Sequence, residues 1–239
     1  MKKLITLLII AFALQSCENK THKTEKAEPQ KKVEVSESKN KEKTGNEAFI
    51  KIPEDFTELT ESPSNGRKMD RLSFYFDDDS LKDIATVVEN KSEFSKYKLL
   101  IYLTNLKKQY EIDLYSTNDF SIYPVQLEIS KNTLQFGYFE DGTSAFGRFI
   151  KLRYNPDVKK VQVIGYDSGY RASPSEHIDK SYNLLTGKYI VKRTNYDESD
   201  EGKVVEFSGK NDYFKNKVFI ENLDVDMLMN LDDVGSIYE

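Results

Sequence analysis

The chain of 239 residues carries 35 Lys and Arg against 40 Asp and Glu, a formal charge of −5. It has one cysteine, two histidines and no tryptophan. These counts exclude a disulfide within the chain, a zinc set built from several Cys or His ligands, and the basic footprint that nucleic acid requires.

Met1-Lys2-Lys3 is a basic start, Leu4 to Ala13 is apolar apart from Thr6, and Leu14-Gln15-Ser16-Cys17 follows. That layout predicts a secretory signal peptide over residues 1–16. Its apolar run is too short to span a bilayer as a helix. Leu14-Gln15-Ser16-Cys17 resembles the lipobox of bacterial lipoproteins. The resemblance implies cleavage before Cys17 and lipidation of Cys17, whose acyl chains would tie the protein to a membrane. An ordinary signal peptide with a coincidental cysteine is the alternative. The Lys-, Asn- and Tyr-rich composition is similar to that of lipoproteins of Bacteroidota-type bacteria, which implies the outer membrane.

Residues 17–46 read as the lipidated cysteine and a disordered tether. Glu18 to Asn46 has no aromatic residue, and Ala27, Val33 and Val35 are its only aliphatic ones. Such a segment cannot bury enough surface to offset the entropy lost on ordering. It holds 8 Lys and 6 Glu. After Asn46, 25 Lys and Arg face 34 Asp and Glu, so the remainder carries about −9.

Residues 47–239 are long enough for one core and are read as a single β-rich domain. Residues 47–70 hold few apolar side chains and are punctuated by Pro53, Pro63 and Asn65-Gly66, which predicts a loosely docked lead-in. Leu72 to Phe76 and Ile84 to Val88 are predicted strands, followed by Lys98 to Leu103. Tyr110, Ile112 and Leu114 alternate with Glu111 and Asp113, the period of a half-buried strand. Val125 to Ile129, Leu134 to Tyr138, Phe146 to Tyr154 and Val161 to Tyr166 continue the pattern, with a turn at Asp141-Gly142. Tyr182 to Leu185, Lys188 to Thr194, Val204 to Phe207 and a short Val218 to Ile220 complete it. Helix is expected only near Lys91–Lys96 and over Asp224–Asn230, with Asp224 as cap. Many short strands predict a mainly antiparallel all-β fold, as a sandwich, barrel or partial propeller, with at most short helices.

Between the first two of these strands, Asp77, Asp78, Asp79 and Asp83 crowd one loop. Oxygen ligands at alternate positions of a tight loop suit Ca²⁺. The loop resembles the calcium loop of FG-GAP repeats, found in integrin-like propellers, whose pattern is Asp-x-Asn-x-Asp-Gly-x-x-Asp-Leu. Asp77, Asp79, Asp83 and Ile84 match its third, fifth, ninth and tenth places. Tyr75 stands where the first ligand belongs and Ser80 where the turn glycine belongs. The resemblance implies a weak structural Ca²⁺ site at Asp77, Asp79 and Asp83; a solvated acidic turn is the plainer reading of the same residues. Tyr97 to Tyr102, Val163 to Tyr166 and Ser181 to Lys188 are similar to later strands of bacterial secreted proteins in which one such loop opens a β domain.

No local signature of catalysis is present. His22 lies in the tether. His177, in Ser173-Pro-Ser-Glu-His-Ile-Asp179, reads as a loop or surface histidine, since neither serine sits in a Gly-x-Ser-x-Gly elbow. No glycine-rich phosphate loop occurs. Asp197 to Glu201 reads as a solvated hairpin tip, with a second cation site as the alternative. The expected function is therefore a lipid-anchored envelope module, binding or structural rather than enzymatic. Its partners would be the membrane, through Cys17, and an envelope protein or glycan. A glycan or peptidoglycan hydrolase using a carboxylate pair and an immunity- or inhibitor-type lipoprotein are the alternatives. An exposed apolar or tyrosine patch on a sheet face would mark the first. A cleft with two carboxylates, one of raised pKa, would mark the hydrolase.

Overall fold

The computed structural model describes residues 49–77, 79–116, 120–196 and 202–236. The described residues all fall in one unit, Gly45–Glu239. Two antiparallel sheets make up the fold. Sheet one holds β1 (Phe56–Glu58), β2 (Leu72–Phe74), β3 (Asp83–Asn90), β4 (Tyr97–Leu103) and β5 (Lys108–Asp113). β4 occupies one side of β3; β1 and β2 share the other, pairing with its far and near ends.

Sheet two is an uninterrupted meander. It comprises β6 (Ile122–Ser130), β7 (Thr133–Glu140), β8 (Phe146–Asn155), β9 (Lys160–Ser173), β10 (Glu176–Asn183), β11 (Lys188–Asn195) and β12 (Lys203–Lys210). The turn between β6 and β7 is two residues, Lys131 and Asn132, with φ of 48° and 58°. Left-handed conformation at both central positions matches the strand twist, which is why hairpins favour it. Helix α1 (Val225–Asp233) follows, with the Asp224 carboxylate accepting from the Met227 N–H at 2.9 Å as its N-cap.

One core joins the sheets. Ala85, Val87, Leu99, Ile101 and Ile112 of sheet one meet Leu134, Phe136, Ile150, Leu152 and Val163 of sheet two, with Leu228 and Leu231 of α1. Alternation in each strand delivers these side chains to one face. A second, smaller cluster covers the outer face of sheet one, where Ile84, Val88 and Leu100 pack against Ile50 and Phe56. β3 is thus buried on both faces, as its continuous branched run requires.

Three sequence expectations are corrected. The described part of the lead-in, residues 49–70, is not loosely docked: Ile50 and Phe56 cover the apolar outer face of sheet one, while Leu59 and Met69 enter the main core. Residues 91–96 form a turn rather than a helix, nucleated by the Asn90 side chain accepting from the Ser92 and Glu93 N–H groups. Val218–Ile220 gives a single bridge, Gln162 to Phe219, and then one 3₁₀ turn, Ile220–Asn222, instead of a strand.

Candidate functional site

The acidic loop lies where β2 hands over to β3. Asp77, Asp79 and Asp83 are brought together, since the charges of Asp83 and Asp79 raise the proton affinity of Asp77 and that of Asp79 raises Asp83's. Their roles differ. Asp83 starts β3 on the same face as Ala85 and Val87 and is fully buried. Its Oδ2 accepts from the Phe76 N–H at 3.1 Å and its Oδ1 from the Thr104 N–H at 2.8 Å. It staples the loop to β4, and burial raises its pKa despite those donors. Asp79 Oδ1 accepts from the Leu81 N–H at 2.6 Å, which closes the turn.

Two oxygens are left over. Asp77 Oδ1 and Asp79 Oδ2 are buried without a hydrogen-bond partner. Burial, then the charges of Asp83 and Asp79, push the Asp77 carboxyl up to about 6. Crowded carboxylates reach that state when no cation offsets them. Among the described residues, no group of three or more His, Cys, Asp or Glu side chains is arranged to hold a metal ion. The chemistry open to the loop is a shared proton or a cation bridging Asp77 and Asp79. Asp78 lies outside the described residues.

Sequence reading missed a buried charge cluster inside sheet two. Arg148, 1% exposed, donates to Glu140, also 1% exposed, and to Asp232 of α1 at 2.8 Å. Tyr166 donates to the other Asp232 oxygen, and the Arg148 guanidinium lies 4.4 Å from the Phe146 ring centre. This arrangement ties α1 to the sheet. The signal was present: Arg148 has the parity of Ile150 and Leu152, so alternation points it inward.

The third feature is an open cleft of about 350 Å³ where the inner face of sheet two runs past the end of α1. Ile178 and Val191 floor it, Tyr170 walls it, and Arg171, Lys180, Glu176 and Arg193 ring it, with Ser236 beside α1. Arg193 pairs with Glu176, and Lys180 donates to the Asp232 carbonyl. These residues come from β9, β10 and β11 and carry no local sequence signature.

His177 sits on β10, not in a loop, with Nε2 3.1 Å from Asp179 Oδ1. Cys17, the signal segment and tether, and Asp197 to Glu201 lie outside the described residues. Among the described residues no helix is long and apolar enough to cross a membrane. Comparison with known proteins finds no family model, no curated protein and no solved structure that matches this chain.

Proposed function

We propose that this chain is a lipid-anchored protein of the bacterial cell envelope, held at the outer membrane through Cys17, that works as a binding module. The observation that carries this reading is the outgrowth of sheet two beyond its core. β12 buries none of its eight residues and β11 buries only Val191. Ile190, Val204 and Phe207 stand 41%, 57% and 49% exposed there. The register sets Phe207 beside Val191, extending the cleft floor, while Ile190 and Val204, opposite Ser208 and Thr194, face the other side of the sheet. Apolar side chains left exposed on both faces of an outgrown strand pair support an interaction surface.

A carboxylate-pair hydrolase is supported less well. The cleft holds one carboxylate, Glu176, and Arg193 engages it. The buried pair, Glu140 and Asp232, is taken up by Arg148.

The test is a photocrosslinking residue at position 207, with one at Lys131 as control, in cells making the wild-type chain or Cys17→Ala. The reading expects one reproducible adduct at 207, absent at 131, in the membrane fraction. It expects Cys17→Ala to leave that fraction. Equal labelling at both positions defeats the binding surface; membrane retention of Cys17→Ala defeats the anchor.

The unpartnered oxygens of Asp77 and Asp79 favour one addition, a weak structural Ca²⁺ site at that pair, with Asp83 as its support rather than its third ligand. Extracellular modules bind Ca²⁺ near millimolar, and a ligand at five times its Kd stabilises by about 1 kcal/mol. Thermal unfolding should rise in millimolar CaCl₂ over EDTA for wild type and not for Asp79→Ala. An unchanged midpoint removes calcium and leaves the FG-GAP likeness as one of sequence alone.

A further inference from the structure

The two edges of sheet two are finished differently. β6 carries Pro124 and a bulge between Pro124 and Gln126, and both features spoil an edge for further pairing. Its backbone is also engaged from outside the sheet. Ser62 Oγ donates to the Pro124 carbonyl at 2.6 Å, and Ser95 Oγ accepts from the Ile122 N–H at 2.5 Å and donates to the Ile122 carbonyl at 2.8 Å. β12 has none of these devices. It runs eight residues without a proline or a register shift, and its far side pairs with no described strand. The chain leaves it backwards across the sheet, since the Asn211 N–H donates to the Gly187 carbonyl at 2.8 Å, in the turn between β10 and β11. An open row of backbone donors and acceptors of that length takes up another extended strand.

We infer that β12 pairs antiparallel with β12 of a second copy of this chain across a twofold axis, joining two seven-stranded sheets edge to edge. The inference rests on the binding-module reading and names the partner of its surface. Self-complementarity is what selects a second copy. A twofold axis normal to the sheet keeps each face on its own side, so opposed residues share parity. Centred on Phe207, it sets Phe207 against its own copy, Glu206 against Ser208, Val204 against Lys210 and Val205 against Gly209. The Tyr189 ring lies over Gly209, so Val205 meets an aromatic surface there. No like charges are opposed, and each Glu206 is diagonal to Lys210 of the other copy, within reach of long side chains. Centring on Glu206 would oppose two carboxylates, and centring on Val205 would set Lys203 against Phe207. Glu206 and Lys210 are free to change partners. Their present pairs, with Lys192 at 3.5 Å and Asp212 at 2.7 Å, are more than half exposed on both sides and so contribute little. The pairing covers Val204 and Phe207, apolar side chains that the single chain leaves exposed.

Disulfide trapping reads this register. The full chain carrying Cys17→Ala receives one further substitution, Val204→Cys, Phe207→Cys or Lys210→Cys, and each protein is oxidised in a glutathione buffer. Directly opposed residues have Cα atoms about 4.5–5.5 Å apart, within disulfide reach. Phe207→Cys is expected to form a covalent dimer with itself. Val204→Cys and Lys210→Cys are expected to do so only when mixed, because each lies about 20 Å from its own copy. The mixture keeps Phe207, so the outcome does not hang on one substitution. β12 buries none of its residues, and unchanged thermal midpoints will show that the fold is kept. Lys131→Cys, in the turn between β6 and β7, is expected to stay monomeric. Absence of either the Phe207→Cys dimer or the mixed dimer overturns the inference. Dimers of Val204→Cys or Lys210→Cys alone, formed as readily as the mixed one, also overturn it, since they mark random collision or another register. A position-207 photocrosslink to a different protein, with no trapped dimer, removes self-pairing and keeps the binding module; loss of both removes both.

Discussion

Asp83 and Asp77 are six residues apart, and their surroundings give them opposite duties. Asp83 is buried and accepts two backbone N–H groups. Asp77 faces like charges with one oxygen unpartnered. The sequence exposed the crowding but not this division of labour. Parity carried half of it: Asp83 shares the inward face with Ala85 and Val87. The donors that make it structural lie in part just past β4, at Thr104, which no local pattern reveals. The Asp77 carboxyl sits at about 6 against an ordinary 3.8. A raised carboxyl pKa means that the folded chain binds the proton more tightly than the unfolded one. Its favourable contribution is full below about 3.8 and is lost as pH climbs through about 6. Urea midpoints of wild type and Asp77→Asn, compared across that range, should diverge in favour of the variant as pH rises. A constant difference refutes the crowding.

Helix α1 is the element that the sequence described best and explained least. Its start, its Asp224 cap and its late position were legible from Asp-Val-Asp-Met-Leu-Met-Asn, but it runs three residues past Asn230, to Asp233. Its task was not, because Asp232 reaches Arg148 across 84 residues of chain. Removing one member of a buried ion pair leaves the other charge unmet and costs about 3–5 kcal/mol. Asp232→Ala should lower the urea midpoint by that order, while the exposed Met229→Ala on the same helix changes it by less than about 0.5 kcal/mol. Equal effects would show that α1 is held by apolar packing alone. β10 (Glu176–Asn183) was placed too late, at Tyr182 to Leu185, for a related reason. Glu176-His-Ile-Asp-Lys180 lacks the branched, alternating run of a strand, and it is extended because β9 and β11 pair with it on both sides. Tertiary pairing overrides local preference there.

At the scale of the molecule, the order of strands was largely readable, since each predicted run overlaps a strand except Val218–Ile220, while β1 fell in the expected lead-in and was not predicted. Their division into two sheets was not, because alternation fixes a face without naming the layer opposite. Nor was the outgrowth of sheet two, which depends on where α1 stops. Surface apolar residues in that outgrowth should be dispensable to folding: Val204→Ser with Phe207→Ser is expected to shift stability by under about 1 kcal/mol, measured by urea unfolding. A large loss would mean that β12 belongs to the core after all. The charge cluster has a consequence in time. In chain order sheet one comes first and sheet two follows strand by strand, each beside its predecessor. Arg148 precedes its Asp232 partner by 84 residues, with most of sheet two between them. Until α1 docks, Arg148 has Glu140 but lacks its second counter-charge. Closure of sheet two over its core is thereby tied to the docking of a helix that forms far along the chain.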